Sequence, residues 1–286
     1  MKFSLVDPDP DSRFAVVGDL RLHFKRSGSG RALLLLHGSG SSIHGFERVA
    51  ERLSTSFDVI TLDLPGFGLT GPRPDRDYRV STYVDTVAGF MTELGLERFS
   101  VVGNSLGGNI GWNLALAEPS RVENLVLINA TGYPEKSLPM GIRLARNPIL
   151  RPLLRRGLPR RATERNLRAL VGRPWIVDEA MVDRVHAMMS LPGNRSAFVD
   201  FANTDQEDRS SLIPDVAVPT LVLRSASIDG QHFGRDIVGA VERTHPTGGH
   251  LLPEEDPEWV AARIREFLEG DPDLHRDRPR QDGARS

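Results

Sequence analysis

Between residues 32 and 130 the chain alternates two kinds of segment. Apolar runs of strand length stand at Ala32–Leu36, Val59–Leu62, Phe99–Val102 and Val122–Ile128. Between them, apolar residues recur at helical spacing: Val84, Val87, Met91 and Leu94, then Leu106, Ile110 and Leu114, with room for a shorter helix at 45–53. A run such as ALLLL has no polar alternation, so it suits a strand covered on both faces. Strands of that type with helices between them predict a mostly parallel sheet flanked by helices on both sides. Ahead of this region, residues 14–17 and 20–25 read as a hairpin turning at Gly18 and Asp19.

The alternation stops at 131. Residues 131–210 are helical in character without a convincing strand, and 178–190 repeats apolar positions behind a capping Asp178. Strand character returns at PTLVL, 219–223, and weakly at 241–245. Asp256 followed by Pro257 marks the start of a last helix, with Val260, Ile264, Phe267 and Leu268 on its apolar face. The polar segment 271–286 is expected to be a disordered tail. Residues 14–130 and 214–270 therefore form one α/β core. The 131–210 segment is an insertion at the edge carrying the strand ends, which makes it a candidate lid.

Composition excludes several classes. A formal net charge of −2 over 286 residues gives no general pull toward nucleic acid. With no cysteine there is no disulfide, thiol nucleophile or thiolate metal site, which fits a reducing compartment and a cytoplasmic location. MKFSLVDPDPDSR has no apolar core of a secretory signal, and no apolar run is long enough for a bilayer.

The chemistry gathers at predicted strand ends. GNSLGG, 103–108, joins a strand to a helix. A Gly-x-Ser-x-Gly there forces the serine into strained backbone geometry and exposes its oxygen at a helix N-terminus, while the glycines leave room for close packing. Ser105 is then the candidate nucleophile. The N–H of Leu106 is one oxyanion donor, and HGSG, 37–40, supplies a second, with Ser39 preferred and Gly40 the alternative. The glycine pattern matches neither a dinucleotide fingerprint nor a phosphate loop, so no cofactor is implied. No histidine and carboxylate spacing matches a metal site.

A serine hydroxyl needs a base. Among eight histidines, His250 is preferred: it follows Gly248 and Gly249, lies late in the chain and precedes the last helix. His37 is expected to shape its own loop, His23 to be surface or packed, and His44 and His186 could face a pocket. An acid to orient the base belongs after the 219–223 strand. Asp229 is the first carboxylate there and Asp236 the alternative, whereas Glu254, Glu255 and Asp256 are expected to cap or orient the last helix.

The set HGSG (37–40), DLPGFG (63–68), GNSLGG (103–108), PTLVL (219–223) and GGHLLPEEDPE (248–258) resembles the α/β-hydrolase superfamily, in its lidded esterase-like branch related to the C–C bond hydrolases. The resemblance implies an eight-stranded, mostly parallel sheet with its second strand antiparallel, a helical cap, and the roles above for Ser105, His250, Ser39 and Leu106. It also makes Gly66 and Gly68 a structural turn near the site. One stretch departs: after PTLVL the chain reads RSASID, so Asp229 falls one position late, Ile228 takes the usual acid position, and the interval to His250 is short. A serine at 105 argues against the dehalogenases and epoxide hydrolases of the fold, which resemble it but use aspartate there. The glycine loop continues SerSerIle where the C–C hydrolases have proline.

These readings favour a serine hydrolase cleaving a small to medium, largely apolar carboxylic ester through an acyl-enzyme. The alternatives are C–C cleavage of a vinylogous diketone acid and a noncatalytic protein binding a small ligand. Leu138, Met140, Ile142, Leu144, Met188, Met189, Leu191 and Phe198 are expected to pack the lid and pocket walls. Residues 143–173 carry ten arginines against one acid, Glu164. A solvated helical face is the favoured reading of that stretch, with contact to an anionic surface second.

Overall fold

The computed structural model describes residues 6–134 and 140–270. Leu138 and the 271–286 tail therefore lie outside the described residues. Eight strands form one sheet: β1 (Arg13–Val17), β2 (Leu20–Ser27), β3 (Arg31–Leu36), β4 (Phe57–Leu62), β5 (Phe99–Asn104), β6 (Val122–Ile128), β7 (Thr220–Ser225) and β8 (Val241–His245). Their order across the sheet is β1-β2-β4-β3-β5-β6-β7-β8. β2 is antiparallel to both neighbours, and the remaining pairs from β4 to β8 are parallel. The hairpin pairs Val17 with Leu20 across the turn, where Gly18 takes φ +57°.

Alternation along β3 explains why its apolar run is continuous. Leu34 and Leu36 enter the core under α2 (Val80–Glu93) and α3 (Leu106–Ala117), beside Val87, Phe90, Ile110 and Leu114. Leu33 and Leu35 enter the opposite core under α1 (Glu47–Leu53) and α11 (Pro257–Glu269), beside Val49, Leu53, Val260 and Ile264. Each fully buried leucine contributes about 1.5–3 kcal/mol relative to an exposed one, so both faces of β3 favour the sandwich. The weakly signalled β8 pairs in register with β7 from Leu221↔Val241 to Ser225↔His245. The Asp256 side chain accepts from Trp259 N–H at 3.0 Å and caps α11.

Among the described residues, five α-helices lie between β6 and β7: α4 (Met140–Arg146), α5 (Arg151–Arg156), α6 (Arg160–Leu170), α7 (Glu179–Ser190) and α8 (Asn194–Asn203). Asp178 caps α7 by accepting from Met181 N–H at 2.8 Å. Two short helices, α9 (Phe233–Asp236) and α10 (Leu252–Glu255), complete the described elements with three 3-10 turns at 43–46, 174–176 and 210–215. Because β3, β5 and β6 are parallel, their C-terminal loops open on one edge of the sheet. No described helix is long and apolar enough to cross a membrane.

Candidate active site

The turn from β5 to α3 is built by close backbone contact. Ser105 sits between them at φ +54°, ψ −113°, a conformation that costs a non-glycine residue of order 1–3 kcal/mol. A Cβ on Gly103 would meet the Gly107 carbonyl oxygen at 2.2 Å, and one on Gly107 would meet the Leu36 oxygen at 2.0 Å. The glycines thus let α3 start directly against β3 and β5. The HGSG loop after β3 lies on the serine: a Cβ on Gly38 would stand 3.2 Å from the Ser105 Cβ. Leu106 is the first residue of α3, and its N–H has no helical acceptor.

The loop shape is held from beneath by Asp63, a residue given no role in the sequence reading beyond its place in DLPGFG. Its buried carboxylate accepts from Ile43 N–H at 2.7 Å, Leu69 N–H at 2.8 Å and His23 Nδ1 at 2.7 Å. Burial would raise this carboxyl, but the His23 bond, His37 and the Leu69 amide together hold it below the ordinary value. His37 Nδ1 bonds the Gly38 carbonyl at 2.8 Å and its Nε2 accepts from Leu64 N–H at 3.0 Å. Burial lowers its pKa, in keeping with a neutral ring that shapes the loop. His23 is buried on Asp63, and its Nε2 meets the Ser12 hydroxyl at 2.9 Å.

His250 is anchored to the same turn. Its carbonyl accepts from Asn104 Nδ2 at 3.2 Å, and Asn104 immediately precedes the serine. Its N–H donates to the Leu170 carbonyl at 2.6 Å, tying it to the end of α6. The preceding Gly249 carbonyl accepts from Asn129 Nδ2 at 2.9 Å and Ser225 Oγ at 2.8 Å, and the Gly248 carbonyl from Ser227 Oγ at 2.9 Å. Asn129 directly follows β6 at φ +41° and also accepts from Ser225 N–H at 2.8 Å. Sequence reasoning passed over it; an asparagine directly after an apolar strand is the available signal. The irregular RSAS stretch thus works through its hydroxyls, which hold the histidine loop.

Neither proposed acid is hydrogen-bonded to the His250 ring. After Ser225 the chain turns outward. Asp229 is exposed, and its carboxylate accepts from the next residue's N–H, Gly230, at 2.7 Å. The Asp236 carboxylate accepts from the Tyr133 hydroxyl at 2.7 Å and from Arg235, which bring its pKa down to about 2. Among the described residues, the His250 ring makes no hydrogen bond, and desolvation pushes its pKa below the ordinary 6.5. Glu255, expected to serve the last helix, instead accepts from Gly249 N–H at 2.7 Å and Gly172 N–H at 2.9 Å. Glu254 is bonded to Arg184 of α7.

Ser105, Leu106, Ser39, Gly40 and His250 all line one cavity of about 650 Å3. Met140, Ile142, Leu144, Met189 and Phe198 form part of its wall, whereas Met188 is packed in the interior. His186 also faces it, while His44 bonds Ser42 and lies outside the lining. Asp229 and Asp236 are not part of the wall. Among the described residues, no three His, Asp or Glu side chains are grouped to hold a metal ion.

A family model described as "alpha/beta hydrolase fold" matches residues 31–229. The chain is 26% identical over 260 residues to the uncharacterized hydrolase YugF of Bacillus subtilis, covering 86% of this chain and 92% of that protein. It is 32% identical over 228 residues to a 2-hydroxy-6-oxononadienedioate/2-hydroxy-6-oxononatrienedioate hydrolase of Paraburkholderia phymatum, covering 72% of this chain and 74% of that one. The structure of a thermophilic esterase from Thermogutta terrifontis superposes with a TM-score of 0.74 at 26% identity, over 90% of this chain and 98% of that one. With its eight-stranded, mostly parallel sheet and this match across most of its length, the chain belongs to the α/β hydrolase fold family.

Proposed function

We propose that the protein is a serine hydrolase that cleaves a carboxylic ester with a largely apolar acyl or alcohol part. The observation that carries this reading is Ser105 in its strained turn, opening with Leu106, the HGSG loop and His250 on one mostly apolar cavity. The helices α4–α8 then serve as the lid of that cavity. Ser105 Oγ gives its proton to His250 and bonds the ester carbonyl carbon. The carbonyl oxygen takes the negative charge and receives the N–H groups of Leu106 and Ser39; one such donor supplies about 3 kcal/mol in the transition state. The intermediate collapses, the C–O bond to the alcohol breaks, and the imidazolium returns its proton to the departing alkoxide. Water, deprotonated by His250, then attacks the acyl-enzyme and restores Ser105. Burial keeps the imidazole neutral and able to accept a proton. Its orientation rests on the main-chain anchors of residues 248–250, with Asp229 the preferred sequence candidate for an acid that joins it.

The esterase among the structural neighbours is consistent with this chemistry. A second reading, C–C bond hydrolysis of a vinylogous diketone acid, draws on the name of the Paraburkholderia relative. A fluorophosphonate probe tests the first: one adduct is expected, on Ser105, and none on Ser105→Ala. An unlabelled native chain, or an adduct elsewhere, rejects Ser105 as the nucleophile. Faster turnover of a dienoate than of aryl esters moves the assignment to the second reading.

A further inference from the structure

We propose that the outer face of α4–α6 docks on an anionic lipid surface, with the mouth of the cavity turned toward the lipid. This goes beyond the hydrolase reading and does not depend on it.

Three observations converge on this face. The first is apolar exposure. Ile149 is 84% exposed and Leu153 60% exposed. Helical i-to-i+4 bonds from Arg151 N–H to the Asn147 carbonyl, from Leu154 N–H to the Leu150 carbonyl and from Gly157 N–H to the Leu153 carbonyl carry the helical course of α5 back through the turn at 148–150. Positions 149, 153 and 156 therefore share a side of the helix. A single exposed leucine is ordinary, but these two stand with partly exposed Met140 and Leu144 on α4 and Leu158 in the link from α5 to α6.

The second is charge. Ten of the chain's 36 lysines and arginines fall in 143–173, against one of its 38 acids. Some are neutralised: Arg155 by Asp200, Arg160 by Glu179 and Asp183, Arg168 by Glu164. Among the described residues, the exposed Arg143, Arg156, Arg161 and Arg165 have neither an ion pair nor a side-chain hydrogen bond. A guanidinium left free beside exposed aliphatic side chains complements a phosphate headgroup above acyl chains, since its fork of N–H donors matches phosphate oxygens.

The third is position. Met140, Leu144, Leu158 and Arg165 belong both to this face and to the cavity wall. The apolar, basic surface therefore runs directly into the cavity that holds Ser105. A protein docked by it would take an apolar substrate from the bilayer without exposing that substrate to water.

The test uses the whole chain and reads binding directly. Co-sedimentation is measured with phosphatidylcholine vesicles, alone and mixed with phosphatidylglycerol, at low and high salt. Binding is expected to the mixed vesicles only, and to weaken with salt. Each of Arg143→Glu, Arg156→Glu and Arg161→Glu should weaken it at least about fivefold, from the contribution of one basic residue near such a surface. Ile149→Ser with Leu153→Ser should weaken it at both salt concentrations. None of these five side chains lines the cavity, so thermal melting should match the native chain. The proposal is overturned by no binding at low salt, by equal binding to both vesicle types, or by binding that the arginine variants leave unchanged. It is also overturned if the serine variants instead dissociate a dimer, which makes the face an interface between copies.

Discussion

His250 is held by its backbone. Its N–H and C=O are both bonded, to Leu170 and Asn104, while its half-buried ring has no carboxylate partner among the described residues. Desolvation disfavours the imidazolium, so the ring stays neutral to lower pH than a free histidine. The sign of the pH effect follows. The acid limb of kcat/KM is expected to have its midpoint below 6.5, the ordinary histidine value. A pH–rate profile checks this, and a midpoint above 6.5 means that a carboxylate reaches the ring in the working enzyme. At this scale the sequence was legible where the pattern is local: the strand-to-helix turn at Ser105 and Leu106 follows from one hexapeptide, and the loop carrying His250 from its glycines and its place before the last helix. The Asp229 carboxylate was not, because its direction depends on how residues 226–232 turn after β7, which no spacing reveals. Asp63 was hidden for a related reason: its partners His23 and Ile43 lie 40 and 20 positions away in sequence and meet it only in the folded sheet.

Among the elements, the contact between α6 and the histidine loop carries the most consequence. A Cβ on Gly249 would meet the Gly172 nitrogen at 2.3 Å, so the two backbones touch. The buried Glu255 carboxylate closes that contact by accepting from both glycine N–H groups. Glu255→Ala leaves these two donors facing a void. Chemical denaturation is expected to show a loss of about 2–3 kcal/mol, as for a charged acceptor with buried partners. Steady-state kinetics should show a fall in kcat with KM little changed, and Glu255→Gln, which restores one acceptor, should fall between. An unchanged kcat in Glu255→Ala would mean that the histidine loop keeps its place without this clasp. The core strands, their larger helices and α7 were readable from periodicity, down to the Asp178 and Asp256 caps, whereas the rest of 131–210 was legible only as helical and not as α4, α5, α6 and α8. The clasp was not, because a glutamate before a proline-initiated helix looks like a capping residue, and only tertiary contact reveals its other partners.

For the whole molecule, a single sheet edge gathers loops separated by more than a hundred residues. β3 contributes the HGSG loop, β5 the serine, β6 Asn129, and the segment after β8 the histidine. Parallel pairing makes this convergence unavoidable, since every such strand ends on the same side. The α/β class was legible because buried parallel strands leave continuous apolar runs. The strand count and the antiparallel second strand came from resemblance rather than from any local pattern, whereas the strand order and the seating of α4–α8 over the cavity required the folded chain. The central claim is that Ser105 forms a covalent acyl intermediate. The most direct measurement is rapid acid quench during turnover of an aryl ester, followed by intact mass and peptide mapping. The predicted result is one acyl group on the peptide containing Ser105, formed in a burst with the first equivalent of phenol. Turnover with no acylated chain, or with the acyl group on another residue, would contradict it.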